Sequence, residues 1–193
     1  MTATADTRSQ ILDAFSQQLA AVGYQGVSLV AVARTVGIQK PSIYHHFPGG
    51  KEDLYAAVAL RFVEDLRARL AAALTTEGTL EEKLRTLAVV SAEHSPRAIS
   101  FEQRVYDALD LVSEETRTDV SQRYVSGVLN PVAELFRAAV EAGDVTGDPW
   151  FLMNAFLHLV RATDLAQEPD GSAQLVALFL DGARAPGAVR RRM

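Results

Sequence analysis

Residues 26–54 read GVSLVAVARTVGIQKPSIYHHFPGGKEDL, and this stretch decides the fold of the N-terminal region. Ser28 suits a helix N-cap, because its hydroxyl can accept an amide hydrogen that the first helical turn leaves unpaired. Apolar residues then recur at helical spacing and predict one buried stripe, formed by Leu29, Val32, Ala33 and Val36. Gly37 follows directly, where a chain leaving a helix often needs a positive φ. The pattern predicts a short amphipathic helix that ends in a glycine turn.

A second short helix is predicted from about Gln39 to Phe47, with Ile43 facing the first helix. The small side chain of Ala33 and the turn at Gly37 allow the two helices to cross closely. Two helices joined in this way form a helix-turn-helix, whose second helix enters the major groove of DNA. The segment therefore predicts a DNA-binding unit.

This region resembles the DNA-binding domain of the TetR family of bacterial transcriptional regulators. The resemblance covers about the first quarter of the chain and rests on an ordered series of matches: Gly23-Tyr24, Val27-Ser28-Leu29, Ala33, Gly37-Ile38, Ser42 through Phe47, and Lys51 through Leu54. It implies an all-α protein with a three-helix DNA-binding domain at residues 1–50 and a helical ligand-binding and dimerisation domain at residues 51–185. The remaining three quarters match the family in length and helical character. A disordered tail is predicted for residues 186–193.

Several side chains of this region are candidates for DNA contacts. In the second helix, Lys40, Ser42, Tyr44 and His45 are the polar groups that can face DNA, and Pro41 offers an apolar face to a thymine methyl. The family resemblance implies that Tyr44 and Lys51 bind backbone phosphates, and that Ser28 does so through its hydroxyl or the neighbouring helix amides. Gln39 and Gly50 stand where better helix caps are usual, so both helix starts are expected to be looser.

Composition and charge agree with this interpretation. The chain has 193 residues, of which 48% are hydrophobic, no cysteine and a net charge of −5. Its excess of acidic groups lies beyond residue 54, and no carboxylate occurs between Asp13 and Glu52. A surface that faces phosphates needs such an acid-free stretch, because each carboxylate repels the DNA backbone. No signal peptide or membrane-spanning segment is apparent, so we expect a cytoplasmic protein.

Helical periodicity continues along the chain and predicts about nine helices. Their starts are marked by a capping box at Thr79 and Glu82, by Ser95-Pro96, by Ser113 before two glutamates, by Asp148-Pro149 and by Ser172. The helix after Ser113 is predicted to run to Ala142. No strand-like alternation interrupts this pattern.

The C-terminal half carries the candidate ligand and dimer residues. A ligand pocket between the fifth and eighth helices is predicted, enclosed by Phe101, Val105, Tyr124, Val128, Leu157 and Arg161. The family resemblance implies that the last two helices pair with those of a second copy as a four-helix bundle, and the residues expected there are Leu152, Phe156, Leu159, Val160, Leu175, Leu178 and Phe179. Each of these apolar residues has the alternative of belonging to the core of its own chain.

The sequence does not predict an enzyme. It lacks a glycine-rich phosphate loop and a nucleophile elbow, and its four histidines lie outside zinc spacing, so neither a cofactor nor a metal is expected. The function predicted is a homodimeric repressor that binds a pseudo-palindromic operator in double-stranded DNA and is released by a small apolar or aromatic effector. A regulator without an effector, controlled by a protein partner, is one alternative. A helical interaction or enzymatic domain that does not bind DNA is the other.

Overall fold

The computed structural model describes residues 3–75, 77–92, 96–163 and 171–184, and these form helices and short connections without a strand. The helices are α1 (Ala3–Gly26), α2 (Leu29–Val36), α3 (Lys40–His46), α4 (Lys51–Leu74), α5 (Leu80–Ala92), α6 (Pro96–Ala108), α7 (Glu114–Tyr124), α8 (Asn130–Ala142), α9 (Pro149–Thr163) and α10 (Gly171–Ala183). A 3₁₀ turn at Leu109–Leu111 follows α6, and a π-helical turn at Val125–Leu129 stands between α7 and α8. The predicted all-α fold is confirmed.

The first compact unit comprises the residues up to 65 together with residues 96–124. It contains α1 to α3, the first part of α4, α6 and α7. Its core is a continuous apolar cluster in which the largest fully buried side chains are Ile11, Phe15, Leu19, Ile43, Leu54 and Tyr55. The Tyr55 hydroxyl donates a hydrogen bond of 2.8 Å to the carbonyl oxygen of Val105 in α6. A buried hydroxyl needs such a partner, so this bond fixes α4 against α6.

The second compact unit comprises residues 66–95 and the chain from residue 125 onward. The rings of Phe136, Phe156 and Phe179 meet with centroids 5.2–5.9 Å apart, which joins α8, α9 and α10. Leu84 and Leu87 of α5 are fully buried as well. Aromatic rings packed edge to face at these distances are typical of a helical core.

Three of the five predicted helix starts are present as capping interactions, while Ser95 lies outside the described residues and α10 begins at Gly171, one residue before the predicted Ser172. Thr79 and Glu82 form the reciprocal capping box, with the Thr79 amide donating to the Glu82 carboxylate at 2.7 Å and the Glu82 amide to the Thr79 hydroxyl at 3.3 Å. The Ser113 hydroxyl accepts from the Thr116 amide at 3.2 Å, and the Asp148 carboxylate from the Phe151 amide at 2.8 Å. These caps satisfy amides that the first helical turn leaves unpaired.

The predicted long helix from Ser113 to Ala142 contains a π turn. Pro131 lacks an amide hydrogen and cannot donate to the carbonyl of Gly127, four residues before it. The regular ladder therefore opens over Val125–Leu129. Counted with this interruption as one helix, the prediction of about nine helices holds for the described residues.

Three further predictions from the sequence concern the C-terminal tail, the domain boundary and membrane-spanning segments. The predicted tail at 186–193 lies outside them. The predicted boundary between the DNA-binding domain and the ligand-binding domain at residue 50 stays a prediction, because the two compact units divide within α4 instead. None of the described helices combines the length and the apolar character that a membrane crossing requires.

Candidate nucleic-acid interface

The turn between α2 and α3 has the geometry that the sequence predicts. Ser28 is the N-cap of α2, and its hydroxyl accepts from the Ala31 amide at 3.4 Å. Gly37 ends the helix with φ of 78°, and its amide donates to the carbonyl oxygen of Arg34 at 3.2 Å. Ala33 is 3% exposed, which leaves room for α3 to pack closely against α2. These features fix the angle between two short helices.

The α3 helix has one buried side and one open side. Ile43 is fully buried, and Phe47, the residue that ends the helix, is 3% exposed. The predicted DNA-facing residues lie elsewhere on the helix: Lys40, Pro41, Tyr44 and His45 are exposed and Ser42 is half-buried. Gln39 makes no side-chain capping bond, as the sequence predicts. The unpartnered face of α3 therefore presents the side chains that were predicted to contact DNA.

Gly50 has a role that the sequence did not reveal. Its φ is +68°, and a Cβ atom at this position would lie 2.9 Å from Cε1 of Tyr44. The backbone of Gly50 therefore forms the surface on which the Tyr44 ring rests. The preceding amide of Gly49 donates to the Asp53 carboxylate at 2.6 Å, so the entry into α4 is held by a side chain from its own first turn. The expectation of a looser start for α4 did not take this hydrogen bond into account.

The ammonium group of Lys51 is partly enclosed by neighbouring groups. Its ammonium donates to the carbonyl oxygen of Gln25 at 3.2 Å and lies 4.8 Å from the centroid of the Tyr24 ring. Burial lowers the pKa of Lys51. An ammonium has three N–H donors, so one is used by Gln25 and two are left. The role of Lys51 at a phosphate stays a prediction.

Glu52 connects the start of α4 to the start of α7. Its carboxylate accepts hydrogen bonds from the Ser113 amide at 3.0 Å and from the Thr116 hydroxyl at 2.7 Å. The pKa of Glu52 is lowered by the neighbouring side chains of Ser113 and Thr116 and by the Ser113 amide, all of which stabilise the carboxylate. A negative charge at a helix N-terminus is favourable as well. Because the partners are 61 and 64 residues away, no local pattern in the sequence could have revealed this contact.

The predicted ligand residues are distributed over both units. Phe101, Val105 and Tyr124 belong to the first unit, where Val105 is 5% exposed and packed in the core. Val128 and Leu157 belong to the second unit, and the side chain of Arg161 lies outside what the structure describes. Of the six, only Phe101 lines a cavity described within the first unit, which has a volume of about 210 Å³ and further lining residues Ser16, Val58, Arg61, Phe62 and Asp65. The pocket between the fifth and eighth helices stays a prediction.

The predicted dimer residues differ in how exposed they are, and their role in a dimer stays a prediction. Five of them are 8% exposed or less within a single chain, namely Leu152, Phe156, Val160, Leu175 and Phe179. Side chains covered to this extent by their own chain leave little surface for a second copy, which favours the alternative that they belong to the core of their own chain. Leu159 is half-buried, and Leu178 is 68% exposed. On α9, Trp150 and Phe151 are 39% and 69% exposed, and neither is among the predicted dimer residues.

Comparison with known proteins identifies the class. Residues 11–58 match the family model of bacterial regulatory proteins of the tetR family. The HTH-type transcriptional regulator LmrA of Bacillus subtilis is 36% identical over 66 residues, a match that spans 34% of this chain and 35% of LmrA. The HTH-type transcriptional regulator TtgW of Pseudomonas putida is 31% identical over 106 residues, or 54% of this chain and 77% of TtgW.

Solved structures agree on the fold. The crystal structure of AibR in complex with isovaleryl coenzyme A and operator DNA superposes with a TM-score of 0.72 at 21% identity, covering 93% of this chain and 99% of AibR. The chain belongs to the TetR family of bacterial regulatory proteins. Its class is that of DNA-binding transcriptional regulators, and its relatives are regulators rather than enzymes.

Proposed function

We propose that the protein is a transcriptional repressor that binds a pseudo-palindromic operator as a homodimer and is released from it by a small apolar effector. The observation that carries the proposal is the open face of α3, with Lys40, Tyr44 and His45 exposed on a helix that Ile43 anchors in the core. A recognition helix needs this combination of a rigid anchor and an uncovered polar side.

Base contacts and phosphate contacts are assigned to different residues. Lys40, Ser42 and His45 are proposed to read base edges, with Pro41 beside a thymine methyl. Tyr44, Lys51 and Ser28 are proposed to bind phosphates, which fixes position without selecting sequence. Substitutions in the first group should therefore change which sequences bind, and substitutions in the second should weaken binding to all DNA.

The dimer is proposed to form through α9 and α10. Phe151 and Leu178 are large apolar side chains that remain more than two thirds exposed on these helices. A symmetric pair of copies would place two α3 helices on successive major grooves, about 34–36 Å apart. The distance between the two α3 helices in the dimer therefore sets the distance between the two operator half-sites.

An effector would act by binding preferentially to the form of the dimer that does not fit the operator. Tight binding alone changes nothing, since only a difference in affinity between the two forms shifts the equilibrium. A hundredfold loss of operator affinity requires a difference of about 2.7 kcal/mol. AibR, in complex with isovaleryl coenzyme A as well as operator DNA, supports a small-molecule effector for this chain.

The experiment is a fluorescence-anisotropy titration with the DNA immediately upstream of the chain's own coding region and with a mixed-sequence duplex. We expect tighter binding to the upstream DNA, and affinity that falls as salt rises because counterions are released. Thermal-shift screening of apolar metabolites then supplies effector candidates, each tested for release of the DNA. Equal or absent binding to both duplexes contradicts the repressor proposal. Hits that bind but never change DNA affinity contradict the effector.

A further inference from the structure

A cation of α1 lies beside the C-terminal end of α3. The guanidinium carbon of Arg8 is 4.8 Å from the centroid of the Phe47 ring. Phe47 ends α3 and is 3% exposed, so its ring is held by the core. An arginine that stacks on an aromatic face keeps its N–H donors at the edge of the guanidinium, in the fork geometry that matches a phosphate.

Among the side chains that the structure describes, none compensates the charge of Arg8. Arg8 is exposed, and among the side chains that the structure describes no hydrogen bond or ion pair holds its guanidinium. Asp13, a carboxylate of the same helix, is bound by Arg61 at 2.7 Å. Between Asp13 and Glu52 the sequence has no carboxylate, and Glu52 is bound by Ser113 and Thr116. The side chain of Asp6 lies outside what the structure describes.

Arg8 and Lys51 differ in how many of their hydrogen-bond donors are left for an anion. Both cations lie 4.8 Å from the centre of an aromatic ring. The ammonium of Lys51 also donates to the carbonyl of Gln25 and is partly desolvated. Arg8 has no such bond to any side chain or backbone group that the structure describes, and its five N–H donors remain for a ligand. In this part of the protein, Arg8 is therefore better prepared than Lys51 to bind an anion.

We propose that Arg8 is a phosphate-binding residue of the DNA interface, with the Phe47 ring as its support. The phosphate would be one that flanks the groove occupied by α3. Its binding supplies affinity for DNA of any sequence and helps to fix the register of α3. This inference rests on the proposed function, since it needs α3 to bind DNA.

The test is the salt dependence of binding for Arg8→Ala, Arg8→Lys and the control Arg85→Ala. Arg85 is an exposed arginine of α5, in the second unit, and is paired with Glu81, so its removal changes the net charge by the same amount. Anisotropy titrations use the full-length protein, the upstream DNA and the mixed-sequence duplex, from about 50 to 200 mM salt. Melting curves verify that all variants are folded.

We expect Arg8→Ala to weaken binding to both duplexes by a similar factor and to reduce the salt slope by about one. Arg8→Lys should keep most of the slope while binding more weakly than the unchanged protein, because an ammonium cannot present the planar fork. Arg85→Ala should leave both quantities unchanged. If the Arg8→Ala slope equals that of Arg85→Ala while the unchanged protein binds, the assignment of Arg8 is overturned and the proposed function stands. If the unchanged protein binds neither duplex, the proposed function fails and the inference fails with it.

Discussion

At the scale of single residues, Gly50 is constrained by both its backbone and its neighbour. Gly50→Ala introduces a Cβ 2.9 Å from the Tyr44 ring at a φ of +68°. The left-handed conformation alone should lower the free energy of unfolding by about 1–2 kcal/mol. Displacement of Tyr44 should add to this loss and weaken DNA binding. Chemical denaturation and anisotropy measure the two effects.

Gly37→Ala is the matched control for the change at Gly50. Gly37 has a φ of +78°, but a Cβ there would have no atom within 4 Å. The control should therefore show the backbone strain without a displaced ring. Equal losses of stability and DNA affinity in the two variants would contradict the role assigned to Gly50 in supporting Tyr44.

Tyr44→Phe tests the phosphate contact assigned to the Tyr44 hydroxyl. Tyr44 is 42% exposed and its ring rests on Gly50, so removal of the hydroxyl should leave the fold intact. Loss of a hydrogen bond to a charged group should cost about 1.5 kcal/mol, roughly tenfold in affinity, for specific and mixed-sequence DNA alike. Tyr106→Phe removes a hydroxyl from α6 and should leave DNA affinity unchanged. A Tyr44→Phe variant that changes only sequence preference would place the residue at a base instead.

At the scale of helices, Glu52 predicts a pH dependence of stability. The folded pKa of Glu52 lies below its ordinary value of 4.5 because Ser113 and Thr116 donate to the carboxylate. Because the carboxyl pKa is depressed, the hydrogen bonds that join Glu52 of α4 to the start of α7 contribute stability above about pH 4.5. This contribution is lost as the pH falls through the folded pKa. Glu52→Gln should therefore melt at a lower temperature than the unchanged protein at pH 7.

The difference in melting temperature should narrow as the pH falls below 4.5, the ordinary pKa of a glutamate. Glu81→Gln provides the control, because Glu81 pairs on the surface of α5 with an arginine of its own helix. If Glu52→Gln melts at the same temperature as the unchanged protein at every pH, the hydrogen bonds of Glu52 do not stabilise the contact between α4 and α7.

What the sequence predicts and what it misses follow from the range of the interactions. Ser28, Gly37 and the capping box at Thr79 were predictable, since a cap or a positive φ depends on residues within one turn. The anchoring of Ile43 followed from helical spacing. The bond from Glu52 to Ser113 and the contact of Lys51 with Gln25 join residues 61 and 26 positions apart. Only the packed fold brings such pairs together.

At the scale of the whole molecule, the choice of dimer residues shows another limit of periodicity. The apolar stripes of α9 and α10 predict a surface for a second copy, yet within one chain Phe156 is fully buried and Phe179 is 6% exposed. Spacing identifies a stripe but not which chain covers it. In this chain, Phe136 of α8 and the two phenylalanines close the core of the second unit. Of the predicted stripe, Leu178 remains exposed for a partner, whereas the exposed Phe151 of α9 was not part of it.

The exposed residues give the sharpest test of assembly. Phe151 of α9 is 69% exposed and Leu178 of α10 is 68% exposed. Phe151→Glu and Leu178→Glu should each convert a dimer to a monomer at micromolar concentration, because a charge buried in an apolar interface without a partner is strongly unfavourable. Val89→Glu is the control, since Val89 is 45% exposed on α5 of the same unit. Light scattering measures the mass of each variant.

The DNA affinity of each variant should depend on whether it is a dimer or a monomer. A monomer can place only one α3 helix in a groove, so the Phe151 and Leu178 variants should lose most of the preference for the upstream DNA while retaining weak, salt-sensitive binding to any duplex. The Val89 variant should remain dimeric and keep the preference. A monomeric mass for the unchanged protein contradicts the dimer outright. A dimer that persists in both glutamate variants shifts the interface away from the exposed residues of α9 and α10, and with it the geometry that sets the half-site spacing.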